Sequence, residues 1–284
     1  MKILKGLSIF SVFVVLLGSC FDPPEYSNVP EIELNKLEFV EVGGLADVDT
    51  MILYLDFKDG DGDLGLSEEM IDDPFHSNYF FLENGTGELS KVATYQRYTN
   101  LPPFVRAEGT SGLLTTVRTR NKPGYGNLPP YTDPFKCTSY RYDSLFVSEE
   151  DKAIFEGTDI NIKRVLQNGS QPDVYVLLDT FYYELNPLHN NIEVDFLIRN
   201  PDNTYTEFDW NTISCNSSFD GRFPILADKP RVVEGTLKYN MQSLGFLQLF
   251  SVKVMKLRIR VRDRALNQSN VVETQDFTLN EIRR

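Results

Sequence analysis

The feature that most constrains this chain is the run Lys256-Leu257-Arg258-Ile259-Arg260-Val261-Arg262, in which cationic and apolar residues alternate without a break. A period of two puts Leu257, Ile259 and Val261 on one face and the four cations on the other, which fits an extended strand with one buried side. Runs of the same kind recur. Met51 to Phe57, Val174 to Leu178 and Ile192 to Ile198 are rich in β-branched and aromatic residues and are bounded by Asp, Asn, Gly or Pro. No long helical period accompanies them. Ser148 to Phe155 reads as one short helix, capped by Ser148 with Glu149, Glu150 and Asp151 in its first turn, or else as a charged loop. The expected class is all-β.

After Arg262 a polar turn from Asp263 to Asn270 leads into a second β-rich run, Val271 to Leu279. Strand, turn and strand make a C-terminal hairpin that resembles the last two strands of an immunoglobulin-like β-sandwich. Ile32–Phe39 and Thr50–Phe57 are its expected first two strands. Residues 31–284 then form one elaborated sandwich with a long insertion, or two β modules dividing near residues 150–172. The stretch from Arg97 to Phe135 carries Pro102, Pro103, Pro123, Pro129, Pro130 and Pro134 and reads as that proline- and aromatic-rich insertion. Its Tyr125 and Tyr131 suit a protein partner or a sugar face, or pack the insertion onto the sandwich. Arg258, Arg260 and Arg262 either meet an acidic partner or pair across the sheet with carboxylates such as Glu273 and Asp276.

Residues 1–19 open with Lys2 and Lys5, continue through an apolar run from Leu7 to Leu17 and reach Leu17-Gly18-Ser19-Cys20. A basic start with so short an apolar core fits a secretory signal, not a spanning helix. The tetrapeptide resembles the lipobox of bacterial lipoproteins, and that resemblance implies acylation of Cys20 as the mature N-terminus. Two or three acyl chains, at about 0.8 kcal/mol per buried methylene, hold a protein stably on a bilayer. Residues 20–30, with Pro23, Pro24, Asp22 and Glu25, form an acidic, proline-stiffened tether. Acidic residues behind the cysteine resemble the surface-export signal of Bacteroidota lipoproteins. The resemblance implies an outer-membrane lipoprotein facing the cell exterior, acting as a non-catalytic binding or scaffold subunit beside an outer-membrane protein partner. A glycan-binding accessory lipoprotein and a carboxylate-dependent hydrolase are the alternatives. A net charge of −13 argues against general nucleic-acid binding.

The sharpest chemical motif is Asp59-Gly60-Asp61-Gly62-Asp63-Leu64-Gly65. Carboxylates at alternate positions, with glycines that let the backbone fold around a point, converge oxygen ligands as a hard cation such as calcium requires. An EF-hand beginning at Asp59 would need Gly at its sixth position and Glu at its twelfth, where this chain has Leu64 and Met70. The motif instead resembles acidic turns between strands of extracellular β-proteins, of which some bind calcium and some only turn. In an immunoglobulin-like sandwich the loop after the second strand and the loop between the last two share an end, so Asp263 and Asn267 are expected to face the acidic turn as further oxygen ligands.

With Cys20 assigned to lipid, Cys137 and Cys215 remain, either as a disulfide in an oxidising compartment or as two buried thiols. Neither has metal-ligand spacing. The two histidines, His76 and His189, both read as loop or turn residues. No nucleophile elbow, phosphate loop or zinc-protease motif is present, so the expectation is a protein that binds and does not catalyse.

Overall fold

The computed structural model describes residues 25–42, 48–83, 89–93, 105–106, 113–117, 140–148, 161–165, 174–215, 217–227 and 229–284. The first two strands are β1 (Glu31–Val40) and β2 (Asp49–Asp59). A central group follows: β3 (Asn78–Glu83), β4 (Leu89–Ala93), β5 (Val105–Arg106), β6 (Leu113–Leu114), β7 (Tyr140–Ser148), β8 (Asn161–Val165) and β9 (Val174–Leu185). The chain closes with β10 (Ile192–Arg199), β11 (Tyr205–Glu207), β12 (Val233–Ser243), helix α1 (Phe246–Phe250), β13 (Met255–Val261) and β14 (Val272–Glu273).

Strands from the two ends of the chain build the sandwich. One sheet has the order β1-β2-β12 and the other β11-β10-β13-β14. Counting only these seven strands, the first, second and fifth face the third, sixth and seventh as in an immunoglobulin-like sandwich, while the fourth pairs with the third instead of extending the first sheet. All pairings are antiparallel, with Leu55 opposite Leu237 across β2 and β12 and Phe196 opposite Leu257 across β10 and β13. The period of two appears directly in β13, where Met255, Leu257, Ile259 and Val261 are buried and the residues between them are half-exposed. Met51, Leu53, Leu55, Phe196, Leu257 and Ile259 are fully buried in one core shared by both sheets.

The central residues form a third sheet, ordered β5-β4-β3-β9-β7, with β6 on β3 and β8 on β9. It has its own apolar contacts, Phe80 against Phe181 at 5.4 Å between ring centroids and a cluster of Phe81, Tyr140 and Tyr182. Val174–Leu178 belongs to this added sheet and not to the sandwich. Of the stretch from Arg97 to Phe135, β5 and β6 lie in the same sheet, and apart from residues 115–117 the rest of it lies outside the described residues. A division near 150–172 would separate β7 from its partner β9, since Tyr140 to Ser148 pair with Tyr182 to Val174. Most of the Ser148–Phe155 helix lies outside the described residues, and Ser148 itself ends β7. The run Val271–Leu279 makes only the two-residue β14 and a bridge from Phe277 to Met255.

Arg222 sits where the chain leaves and re-enters the sandwich. Its guanidinium donates to the carbonyls of Ser67 (2.9 Å), Met70 (2.8 Å) and Phe75 (2.7 Å) and to His189 Nδ1 (2.7 Å). Three loop carbonyls thus share one cation.

Candidate metal centre

The acidic turn follows β2 because Asp59 is the last residue of that strand and the glycines behind it let the backbone reverse under close neighbours. Gly65 has φ +103°, and a Cβ there would lie 2.3 Å from the carbonyl oxygen of Pro224. Only glycine takes that conformation in that space without strain. Gly60 donates its N–H to the carbonyl of Ser27 at 2.9 Å, and a Cβ on it would stand 2.4 Å from the carbonyl oxygen of Tyr26. The tether therefore packs directly on the turn.

The other wall is the β13–β14 turn, as the sandwich topology requires. Leu64 bridges Asp263, Arg264 N–H donates to Asp63 O at 3.3 Å, and Ala265 N–H donates to Asp63 Oδ2 at 2.9 Å. Asp59, Asp61 and Asp63 each place one carboxylate oxygen within 4.8 Å of the others. Two oxygens bound to one calcium at about 2.3–2.6 Å stand at most about 5 Å apart, so this spacing fits a shared ion.

Asp59 is fully buried; its Oδ2 accepts from Leu64 N–H at 3.1 Å, while Oδ1 is buried with no partner. Asp63 Oδ1 is likewise buried and without a partner. Unsatisfied buried carboxylate oxygens carry a large desolvation cost, and a cation offsets it. The pKa values register the same tension. Burial, followed by the charges of Asp263 and Asp61, pushes Asp63 up to about 6. Asp59 is raised by burial and by Asp61 and Asp263, and Asp263 is raised by burial and by Asp61. Arg264 does not neutralise them: its guanidinium donates to the carbonyls of Gly65 (2.9 Å) and Gly62 (3.5 Å).

Of the residues expected to act here, Asp59, Asp61 and Asp63 converge and Asp263 joins them electrostatically. Asn267 has a different position. Its side-chain amide donates to Asp263 Oδ2 at 2.8 Å and its backbone N–H to Asp263 Oδ1 at 2.7 Å, so it orients Asp263. Arg231, which the motif did not indicate, donates its N–H to Asp61 O at 3.0 Å. The contacts of Tyr26, Ser27 and Arg231 were signalled only by the glycines that admit a second backbone.

The remaining candidates fall elsewhere. Arg258 meets Glu273 (3.2 Å) and Asp195 (3.7 Å), Arg260 meets Glu193 (3.2 Å) and Asp195 (3.6 Å), and Arg262 meets Glu193 (2.9 Å). The cationic row is thus answered within its own sheet, by β10 more than by the C-terminal strand, while Asp276 pairs with Arg199. Cys215 is disulfide-bonded, and Cys20, Cys137, Tyr125 and Tyr131 lie outside the described residues. His76, expected on a surface loop, is 1 % exposed and stands edge-on to Tyr79 at 4.6 Å. Burial lowers its pKa and keeps the ring neutral.

Fold and site together define a class: an all-β sandwich with an oxygen-lined acidic centre where its tether, an interstrand loop and its last turn meet. Comparison with protein-family models, curated proteins and solved structures finds no match.

Proposed function

We propose that this chain is a lipid-anchored, non-catalytic binding or scaffold subunit of an outer-membrane complex, with its sandwich fastened by calcium at Asp59, Asp61, Asp63 and Asp263. The observation that carries the metal assignment is the buried, unpartnered Asp59 Oδ1 aimed into a group of like charges. The lipobox-like Leu17-Gly18-Ser19-Cys20 supports the anchor. Calcium supplies positive charge and further coordination positions for backbone carbonyls or water. The chain's part is to hold four carboxylates in place.

Two measurements test this reading. The full chain, purified in mild detergent and stripped of metal, should melt higher when calcium is restored. At a hundredfold excess over the dissociation constant the gain is about 2.7 kcal/mol, or roughly 5–10 °C for a protein of this size. Asp61→Asn should remove most of the difference, and identical melting with calcium and with chelator would end the metal assignment. For the scaffold role, isolating the tagged chain from outer membranes should recover an integral membrane protein with it. Recovery of the chain alone would overturn that role.

A further inference from the structure

The rest of the chain treats the two edges of the β1-β2-β12 sheet differently. At β1 the C-terminal segment closes the outer edge. Asn270 donates to Ile32 O and accepts from Ile32 N–H, both at 2.8 Å, while Phe39 N–H donates to Ile282 O at 2.7 Å and Phe39 O accepts from Arg284 N–H at 2.9 Å. A register shift between Leu34 and Lys36 also interrupts that edge. β12 has neither feature. It pairs with β2 without a break from Val233 opposite Asp59 to Ser243 opposite Asp49, and among the described residues no backbone group of β12 bonds anything beyond β2. In the facing sheet the edge strands β11 and β14 have three and two residues, against eleven in β12. Every second residue of an antiparallel edge strand turns its N–H and C=O outward, and a long edge without proline or bulge is a template for another strand.

The side chains indicate which strand fits. Glu234, Thr236, Lys238 and Asn240 are exposed on the outer face of β12, while Val233, Leu237, Tyr239 and Met241 turn toward the core. A second β12 laid antiparallel to the first, about a two-fold axis at Thr236, sets Glu234 opposite Lys238 of the second copy, twice over by symmetry. No other two-fold register brings these two residues face to face. Both charges are open to the pairing: Lys238 has no ion-pair partner among the described residues, and Tyr26 takes only Oε2 of Glu234. On the inner face the same register sets half-buried Val233 against half-buried Tyr239, an apolar cross-strand pair beside the core. Tyr26 also lies against Lys58, so the tether runs over the outer face of the sheet. A two-fold axis perpendicular to the sheet keeps both outer faces, and both tethers, on one side, as two copies anchored on one bilayer require.

We propose that β12 pairs with β12 of a second copy of this chain, antiparallel and centred on Thr236, joining two β1-β2-β12 sheets into one. The pairing goes beyond the calcium-fastened scaffold and uses none of its acidic residues.

Cysteine cross-linking reads the register directly. In this pairing the two Thr236 Cα atoms stand about 4.5–5.5 Å apart, within disulfide reach, whereas the two Asn240 Cα atoms are separated by about 25 Å. Full-length Thr236→Cys in mild detergent, oxidised with copper phenanthroline, should run as a dimer on a non-reducing gel, and Asn240→Cys, exposed on the same face of the same strand, should stay monomeric. Linking of both alike would mean random collision and overturn the proposal. Linking of neither would overturn it too, leaving the edge to a strand of another protein or to none. Charge exchange tests the pairing without cysteines. Glu234→Lys and Lys238→Glu each set like charges opposite one another twice, and in sedimentation equilibrium each should self-associate about tenfold more weakly than the parent. An equimolar mixture of the two variants restores opposite charges at both positions and should regain the parent's affinity. A mixture no tighter than either variant alone would overturn the pairing.

Discussion

A carboxylate held beside others in a half-dry turn is easier to protonate, and Asp63 with a pKa of about 6 is the clearest case. Its folded value stands above the unfolded one, so without metal the native state binds more protons between about pH 4 and 6. Stability from this group is therefore greatest below that window and is lost as pH rises through it. Asp63→Asn, metal-free, should be more stable than the parent at pH 7 by about 1–2 kcal/mol, after discounting the linkage value for partial exposure. The gap should narrow as pH falls and close by about pH 3.5, and thermal unfolding of both proteins across that range measures it. Calcium bound as proposed would reverse the sign, since it favours the ionised form, and its benefit should fade below about pH 6. At the far side of the same turn, Gly65→Ala should cost about 1–3 kcal/mol, because φ +103° and the Pro224 carbonyl both exclude a Cβ. Unchanged melting of that variant would mean the turn relaxes freely. Alternate spacing made Asp59, Asp61 and Asp63 legible in the sequence, and topology reached Asp263. That Asn267 lies in the turn facing the motif was legible, but its bonds to Asp263 were not, since position along a chain does not say which way an amide points.

At the level of elements, β13 shows both what a pattern can reveal and what it cannot. Its inward face follows from alternation alone, and Leu257→Ala should cost about 2–5 kcal/mol, since the residue is fully buried between two sheets. Arg260→Ala should cost under about 1 kcal/mol, because its ion pairs with Glu193 and Asp195 are about a third exposed. Denaturant unfolding of the two variants checks the contrast, and equal losses would place the energy of this strand on its outer face. That the cations pair with β10 was not visible, because a strand's own sequence does not name its neighbour. Helix α1 escaped notice for a simpler reason: five residues hold little more than one turn, and only Phe246 and Phe250, buried at i and i+4, mark its face. Strands as short as Val105–Arg106 and Leu113–Leu114 leave no mark in the sequence, since two residues are too few to show a period. In β3 the buried Phe80 and Phe81 are adjacent, so no alternation announces a half-exposed strand there.

On the scale of the whole molecule, Cys20, the proposed site of acylation, and the acidic centre are close neighbours along the chain. The Cys20→Ala variant should lose fatty-acid labelling and leave the membrane fraction, and persistent labelling would remove the lipobox assignment. From Cys20 to Ser27 a fully extended chain spans at most about 25 Å, and the Ser27 carbonyl is already bonded to Gly60 in the turn. Tyr26 reinforces the contact, its hydroxyl donating to Glu234 at 2.5 Å and its ring lying 5.7 Å from the Lys58 ammonium. A sandwich anchored at Cys20 would hold its acidic centre toward the bilayer, and metal would steady the surface on which the tether lies. If calcium binds as proposed, its removal leaves Asp59, Asp61 and Asp63 to repel one another and loosen the turn beneath Gly60, and the peptide bond after Tyr26 should become easier to cut. Chymotrypsin acting on the membrane-bound protein should release the fragment that begins at Ser27 faster in chelator than in calcium, with mass spectrometry identifying that end. The comparison is made at equal ionic strength, so that screening of exposed charges does not differ. Equal release rates would separate the tether from the metal, leaving the acidic centre a local staple between two loops with no hold on the anchor.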